Sequence, residues 1–338
     1  MLASLGLGSP ALGKQTSGPP LGRYALDGIT PTLVLDFAAG YASVPWGVSR
    51  ASVGSYSENG VISEAAPDVP RYVTVDGARM LLLEGASTRL LGGAAPLAAQ
   101  SAAVTAQTYT LSFYGTGSVV LSGVASGTVA GLGTTTRRTF EFMPAAGTLT
   151  VTPTGEVTYL QLEAGSGATS YIPGANGVAT RAPDIPVVLD VSAMSLASGY
   201  TCVAWASVEA VASNYDPVLI LDNGDNGNRH SIYWDRPASR LSAAIYAGGG
   251  SSQGLYSPGA VPALRQPFKI AFSAGPNYFI GASDGGAGSV DSTVTFVPPQ
   301  YLRLAANVYS ARPARLLLSR VVFYPAMMSD GQLGRLTT

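Results

Sequence analysis

Cysteine and histidine are nearly absent from this sequence, and each absence excludes a class of site. The 338 residues contain one cysteine, Cys202, so neither an internal disulfide framework nor a multi-cysteine metal site can form. The only histidine, His230, is the sole candidate base for a Ser-His-Asp triad. The Gly-x-Ser-x-Gly matches, at residues 250–254 and 281–285, lie in glycine- and serine-rich stretches. Because a lone histidine on a strand is usually a packed or solvated residue, we expect His230 to be a structural residue.

Charge is also scarce, at 12% of residues against about 25% in an ordinary soluble domain. The 19 basic and 20 acidic residues give a net charge of −1, and they form no run of one sign. Such a chain offers no basic surface to phosphate backbones. Charges also interrupt every long apolar stretch. We therefore expect no nucleic-acid partner and no membrane insertion.

The residues that are abundant predict short strands joined by tight turns. The chain has 41 glycines, 23 prolines and 46% hydrophobic residues. From Leu33 onward, apolar residues alternate at period two, as in 109–114 and 268–272, which is typical of strands with one buried face. Residues 315–324 are apolar on both faces, which predicts a central strand. We predict an all-β fold of two antiparallel, jelly-roll-like β-sandwich domains.

These patterns divide the sequence into three parts. Residues 1–31 are rich in glycine and proline and predict an extended N-terminal arm, either a disordered tail or a segment that docks on a neighbour in an assembly. Residues 32–184 and 185–338 each predict one sandwich. Ser329 and Gln332 have the spacing of a capping box, which predicts one short C-terminal helix.

The densest polar cluster, residues 222–230, has two interpretations. The side-chain oxygens of Asp222, Asp225 and Asn226 form a candidate calcium site, because calcium prefers carboxylate and amide oxygens. The alternative is a hairpin turn, since Asn and Asp before Gly are typical turn formers. The turn is the simpler interpretation, and no other cofactor is expected.

The strand predicted directly after this cluster places His230, Ile232 and Trp234 on one face and Ser231, Tyr233 and Asp235 on the other. Sugars stack on aromatic rings while carboxylate, amide and guanidinium groups bind their hydroxyls. The candidate carbohydrate-binding residues are therefore Tyr233, Trp234, Asp235, Arg236, Tyr246 and Tyr256. Trp234 could instead pack in the hydrophobic core. Tyr246 and Tyr256 could instead be ordinary surface tyrosines.

Trp46 is a candidate assembly residue, because Pro45 and Gly47 place it in a loop-like setting. It would anchor the arm or a subunit contact there. The alternative is a position in the hydrophobic core.

Glycan hydrolysis needs two carboxylates about 5–10 Å apart on either side of the bond. None of the glutamates belongs to a Glu-x-Asp-x-Glu strand pattern. We therefore expect no enzyme, and pairing between acids distant in sequence keeps a polysaccharide depolymerase as an alternative.

Several sequence blocks resemble phage virion and fibre proteins. The first blocks are Arg50–Tyr56, Asn59–Ile62, Val69–Tyr72 and Leu81–Thr88, and the later ones are Gln161–Gly165, Thr169–Pro173 and Thr180–Ala182. One departure is Arg89, where the family often has asparagine. The resemblance implies a jelly-roll module of carbohydrate-binding type over most of residues 33–184.

The C-terminal half resembles concanavalin-A-like or laminin-G-like lectin domains, most closely in Leu318–Pro325 and Met328–Leu333. Together the two resemblances imply a fibre, spike or decoration protein on the surface of a tailed phage or gene transfer agent. Such a protein would adhere to host surface polysaccharide through many weak contacts, which requires a homo-oligomer. Its N-terminal arm would bind other virion proteins. A purely structural virion role without glycan binding is the alternative.

Overall fold

The computed structural model describes residues 20–95, 97–210, 214–235, 237–257, 264–306 and 315–338. The strands before residue 182 are β1 Leu33–Asp36, β2 Tyr41–Ala42, β3 Val48–Ser49, β4 Gly54–Glu58, β5 Val61–Ala65, β6 Arg71–Val75, β7 Ala78–Glu84, β8 Ser87–Gly93, β9 Gln100–Val104, β10 Tyr109–Gly115, β11 Ser118–Gly123, β12 Gly127–Ala130, β13 Gly133–Phe142, β14 Gly147–Thr154, β15 Thr158–Ala164 and β16 Ala179–Arg181. The strands after it are β17 Ile185–Pro186, β18 Leu189–Asp190, β19 Tyr200–Ala210, β20 Tyr215–Asp222, β21 Arg229–Asp235, β22 Arg240–Ala247, β23 Ser251–Tyr256, β24 Phe268–Gly275, β25 Tyr278–Ser283, β26 Gly286–Ala287, β27 Tyr301–Leu304 and β28 Arg315–Tyr324. Three 3₁₀ helices, Leu21–Tyr24, Ser192–Met194 and Leu196–Ser198, and one α-helix, α1 Asp330–Thr337, complete the described elements.

The predicted all-β, antiparallel sandwich fold is confirmed. Every pair among these strands is antiparallel. The smaller sandwich packs a five-stranded sheet, β13-β10-β15-β8-β16, on a four-stranded sheet, β12-β11-β14-β9. Its core contains Leu111, Phe113 and Leu162 from the first sheet and Leu121 and Val151 from the second. These residues bury the inner face of each sheet, as period-two alternation requires.

The larger sandwich packs a nine-stranded sheet on a six-stranded sheet. The nine-stranded sheet runs β2-β1-β28-β19-β24-β25-β26, with β7 also paired to β28 and β6 paired to β7. The six-stranded sheet runs β18-β27-β20-β21-β22-β23. The core between them contains Phe272 and Phe323 from the first sheet and Leu221, Ile232 and Trp234 from the second.

Strand β28 takes partners from the start of the chain along one of its edges. Leu33–Asp36 pairs with the half of β28 near Phe323, and Leu81–Glu84 pairs with the half that begins at Arg315. The nine-stranded sheet therefore contains strands from both sides of the predicted boundary at residue 184. β28 is covered on both faces, as its apolar pattern predicts, since Leu318 faces the main core while Val322 packs under the helix.

Helix α1 closes the outer face of the nine-stranded sheet. It begins at Asp330 after Ser329, whose main-chain N–H donates to Gln332 Oε1 at 3.0 Å, as the predicted capping box requires. Leu333 and Leu336 pack on that face. No helix in the described ranges is long and apolar enough to cross a bilayer.

The predicted N-terminal arm is described only from residue 20 onward. Leu21, Tyr24, Leu26 and Ile29 pack against the same outer face as α1. The Tyr324 hydroxyl donates to the main-chain oxygen of Tyr24 at 2.8 Å. This part of the arm therefore lies on the larger sandwich, while residues 1–19 lie outside the described residues.

A buried ion network lies where the two sandwiches meet. Asp184 accepts from Arg50 Nη1 at 2.9 Å and from Arg71 Nη2 at 2.5 Å. Arg71 Nη1 also lies 2.8 Å from Glu84 Oε2, and Arg181 Nη2 lies 3.5 Å from the same oxygen. All five side chains are 0–1% exposed. Two carboxylates thus share three guanidinium groups away from solvent.

Neighbouring main-chain and side-chain groups also bind the network. Ser170 donates to Glu84 through its main-chain N–H and through its hydroxyl, each at 2.6 Å. Gly54 makes room for the arginines, because a Cβ there would lie 2.8 Å from Arg50 Nε. The remaining donors of Arg50 bind the main-chain oxygens of Ser52, Ala65, Ala66 and Val69. These contacts satisfy most polar groups of the network, as the burial of charge requires, while the Nε atoms of Arg71 and Arg181 have no hydrogen-bond partner among the described residues.

The network sets the charge state of Glu84. Burial alone would raise the pKa of its carboxyl, but the surrounding guanidinium groups, chiefly those of Arg181 and Arg71, outweigh burial and lower that pKa below its ordinary value. Glu84 is therefore ionised at neutral pH. Four of the five ion-network residues, all but Asp184, lie in the sequence blocks singled out above, so in this chain those blocks contribute to the contact between the sandwiches.

Replacing Arg71 with methionine tests this assignment. The change removes the guanidinium that contacts both buried carboxylates, and we expect it to lower the free energy of unfolding by about 3–5 kcal/mol. Urea denaturation measures the difference. The control is Arg265→Met, because Arg265 is 51% exposed and lies 3.8 Å from the exposed Glu141. This surface pair should contribute less than about 1 kcal/mol, and equal losses in the two variants would contradict the assignment.

Candidate functional site

A groove of about 370 Å³ opens on the outer face of the six-stranded sheet. It lies over β20, β21 and β22, on the side away from the main core. The residues that line it are Tyr215, Pro217, Ile220, Asn226, Arg229, Ser231, Tyr233 and Tyr246. Aromatic rings and hydrogen-bonding groups therefore meet on one rigid surface.

Strand alternation explains which side chains reach the groove. Along β21, Arg229, Ser231 and Tyr233 face outward, whereas Ile232 and Trp234 belong to the main core. The strand register then brings neighbours from other parts of the chain, since Arg229 is opposite Tyr246, Ser231 is opposite Ile220, and Tyr233 is opposite Pro217. The predicted division of this strand into two faces matches the structure.

Three tyrosines form the aromatic wall. The rings of Tyr215 and Tyr233 pack edge to face with centroids 5.9 Å apart. The hydroxyls of Tyr233 and Tyr246 lie 3.3 Å apart. Burial, reinforced by the hydrogen bond with Tyr246, raises the pKa of Tyr233 above its ordinary value. Its phenol is therefore neutral at physiological pH and can both donate and accept a hydrogen bond.

Arg229 and Ser231 supply the polar part of the groove. The Arg229 guanidinium stacks on the Tyr246 ring, 3.8 Å from its centroid, and donates to the main-chain oxygen of Asn226. Ser231 is 2% exposed, and its hydroxyl has no hydrogen-bond partner among the described residues. A stacked guanidinium, a free hydroxyl and aromatic rings are the groups that hold a polar ring-shaped ligand such as a sugar.

The structure brings together two of the six residues proposed for sugar binding, Tyr233 and Tyr246. Trp234 is 5% exposed and packs in the core. Asp235 lies at the end of β21, where it pairs with Arg240 at 3.3 Å and accepts from the main-chain N–H of Ala238. It holds the β21–β22 turn together. The predicted residue Arg236 lies outside the described residues.

Tyr256 lies on the other side of the six-stranded sheet from the groove. Its ring packs against the main core and over Gly281 of β25, where a Cβ would lie 2.2 Å from the ring. Its hydroxyl lies 3.2 Å from Ser283 Oγ. Tyr256 therefore joins β23 to the nine-stranded sheet.

Sequence reasoning missed Tyr215 and Arg229. Tyr215 is 58% exposed at the start of β20, 18 residues before Tyr233 in the sequence. Only the β20–β21 register brings the two rings together. Arg229 had a usable signal, since it lies at period two from Ser231 and Tyr233 on the same strand.

The proposed calcium ligands lie at the end of β20 and in the loop after it. Asp222 is fully buried and binds Arg303, with Oδ2 2.6 Å from Nε. Asp225 Oδ1 accepts from the main-chain N–H groups of Gly227 and Asn228 at 2.6 and 2.8 Å. No group of three or more His, Cys, Asp or Glu side chains arranged for a metal occurs in the described parts of the chain.

This loop joins the antiparallel strands β20 and β21, which is the hairpin arrangement that the sequence offered as the simpler interpretation. Hydrogen-bond donors of the protein itself bind the carboxylates of Asp222 and Asp225. Asn226 lies elsewhere, since it lines the groove and its main-chain oxygen accepts from Arg229.

Trp46 packs in the main core and is 9% exposed. Its ring meets Phe37 edge to face, with centroids 4.8 Å apart. Of the two positions that the sequence allowed for Trp46, an assembly contact and the hydrophobic core, the structure shows the core.

His230 faces inward behind the groove and is 1% exposed. Its Nδ1 lies 2.5 Å from the Tyr200 hydroxyl, and the two rings stack 5.8 Å apart. Burial lowers the pKa of His230 to about 3. This neutral, enclosed imidazole is a structural residue of the core.

Comparisons with known proteins give only distant likenesses. No family model matches the chain, and no curated protein sequence matches it. Among solved structures, a carbohydrate-binding module (CBM40) of a Ruminococcus gnavus sialidase bound to α2,3-sialyllactose is 14% identical, over 44% of this chain and 86% of that one, with a TM-score of 0.35.

Two further solved structures resemble the chain to a similar degree. A mutant Trypanosoma rangeli sialidase is 14% identical over 40% of this chain and 22% of that one, with a TM-score of 0.31. The receptor-binding domain of botulinum neurotoxin type G is 6% identical over 41% and 37%, with a TM-score of 0.33. Structural similarity this low identifies neither a ligand nor an activity for this chain.

The depressed pKa of His230 predicts a stability change with pH. Histidine in the unfolded chain has a pKa of about 6.5. Below that pH the unfolded state binds a proton that the folded state does not, so the free energy of unfolding should fall by up to about 1.4 kcal/mol per pH unit. Because His230 is the only histidine, denaturation from about pH 7 to about pH 5 isolates its effect. His230→Gln should remove most of this slope, and an unchanged slope would contradict the prediction.

Proposed function

We propose that this chain is a non-enzymatic glycan-binding protein that uses the groove over β20, β21 and β22. The observation that carries the proposal is the convergence of three tyrosines with Arg229 and Ser231 on one face of a rigid sheet. Tyrosine rings offer apolar faces to the C–H groups of a sugar, and the polar groups can bind its hydroxyls. A preformed surface of this kind loses little conformational entropy on binding.

The resemblance of the sequence blocks to phage virion and fibre proteins supports a place on the surface of a phage-like particle. In that setting the chain forms a homo-oligomeric fibre, spike or decoration, and its N-terminal arm binds other virion proteins. A groove of about 370 Å³ accommodates only a few sugar units, so each contact is weak. Many copies on one particle raise the apparent affinity for host polysaccharide by about 10²–10⁴.

The chemistry of the groove favours binding over cleavage. No aspartate or glutamate occurs among the described residues that line it. The nearest carboxylates along the strands, Asp222 and Asp235, are paired with Arg303 and Arg240. Hydrolysis through two opposed carboxylates therefore has no support at this site.

Incubation of the protein with host capsule should produce no new reducing ends, and their appearance would favour a depolymerase.

Tyr215→Ala tests whether the groove is the binding site. Tyr215 is 58% exposed, so its removal should leave the fold intact while it deletes one wall of the groove. We expect about tenfold weaker binding to any glycan that the chain recognises, a loss of about 1.4 kcal/mol. A glycan array probed with biotinylated protein on streptavidin provides the required multivalency.

The matched control is Tyr56→Ala, because Tyr56 lines a separate depression between the β4–β5 hairpin and β6. Binding should be unchanged in this variant. If Tyr56→Ala weakened glycan binding and Tyr215→Ala did not, the assignment of the binding site to this groove would be wrong. If the multivalent wild type bound no glycan, the proposed function would be wrong.

A further inference from the structure

Arg229 is the only charged side chain among the described residues that line the groove. It makes none of the ion pairs found among the described residues. All 20 acidic residues of the sequence lie within the described ranges, so no undescribed residue provides the missing carboxylate. Asp222, directly opposite Arg229 on β20, is already bound to Arg303. The groove therefore carries an uncompensated positive charge.

The Arg229 guanidinium is held in a fixed plane. Its face lies on the Tyr246 ring at 3.8 Å, and one Nη donates to the main-chain oxygen of Asn226. These two contacts use one face and one N–H of a group that has five N–H donors. The planar fork that remains matches the two oxygens of a carboxylate, and an arginine held in this way loses little entropy when it binds.

Ser231 provides a second, independent indication of a ligand. Its hydroxyl lies on the groove floor, one position along the outward face from both Arg229 and Tyr233, and it has no partner among the described residues. A buried hydroxyl without a hydrogen bond is unfavourable. A polar group of a ligand seated beside Arg229 would satisfy it.

We propose that the groove selects a sugar that carries a carboxylate, which binds the Arg229 guanidinium while the sugar ring lies against the tyrosine wall. This inference rests on the proposed glycan-binding function and adds the chemical class of the ligand. Ser231 and Asn226 bind ring hydroxyls beside the carboxylate. Neutral glycans of the same shape lack the ionic contact and bind more weakly.

The test uses pairs of acidic glycans on one array, each with its carboxylates free or converted to methyl esters. Wild-type protein on streptavidin should bind the free acids at least about tenfold more strongly than the esters. Arg229→Gln should lose this preference, and Arg229→Lys should retain part of it because the charge remains while the planar fork is lost. Raising the salt concentration should weaken only the binding of the acids.

Arg79→Gln is the matched control. Arg79 also stacks on a tyrosine, 3.3 Å above the Tyr72 ring, and also donates to a main-chain oxygen, that of Phe37. It lies outside the groove, so its replacement should leave the preference intact. This control separates the loss of a groove cation from the general loss of a stacked arginine.

The outcomes distinguish the two proposals. Equal binding of acids and esters by the wild type would overturn the carboxylate inference and leave glycan binding in place. An acid preference that survives in Arg229→Gln would overturn the assignment of Arg229. Failure of the wild type to bind any array glycan would overturn the proposed function together with this inference. The ester comparison needs no variant, so it holds even if a substituted protein does not fold.

Discussion

Asp184 and Glu84 share the buried guanidinium of Arg71 where the two sandwiches meet. The contact between the sandwiches therefore includes a buried ion network. Glu84 is the last residue of β7 in the nine-stranded sheet, while Arg181 ends β16 in the smaller sandwich. Buried charges have little tolerance for displacement, because a lost partner exposes the full desolvation penalty. Loss of one partner from the network is therefore expected to be more costly than loss of an exposed ion pair.

The groove takes no part in this network and is supported by the core of the larger sandwich. Its side chains come from three adjacent strands whose opposite face is filled by core residues such as Ile232 and Trp234. A side chain on such a strand has few ways to move, so Tyr233 and Arg229 are held in place by the sheet and its packing. The site is thus a surface on a sheet, and among the described residues that line it only Asn226 comes from a loop.

Local pattern predicted much of this structure. The period-two alternation gave the all-β class, the two apolar faces of residues 315–324 gave a central strand, and Ser329 with Gln332 gave the start of α1. Such features depend on residues close in sequence. The pattern also placed Tyr233 on the outward face, although it offered no way to choose between Tyr246 and Tyr256 as its neighbour.

The parts that escaped prediction depend on strand partners. Alternation shows that residues 33–36 form a strand, but it does not show that their partner is β28, nearly the whole chain away. For the same reason the sequence pattern did not predict that Arg50 and Arg71 are buried. Their burial follows only from acids at positions 84 and 184 that tertiary structure brings to them.

The edge of β28 has a consequence for how the polypeptide reaches this state. β1 and β7 both pair with that edge, but they are synthesised well before β28, the strand that they pair with. Until then their unpaired N–H and C=O groups are exposed to other nascent chains, a hazard for pairing in the wrong place. Closure across so long a loop is also slow. Efficient production should therefore favour conditions that keep growing chains apart.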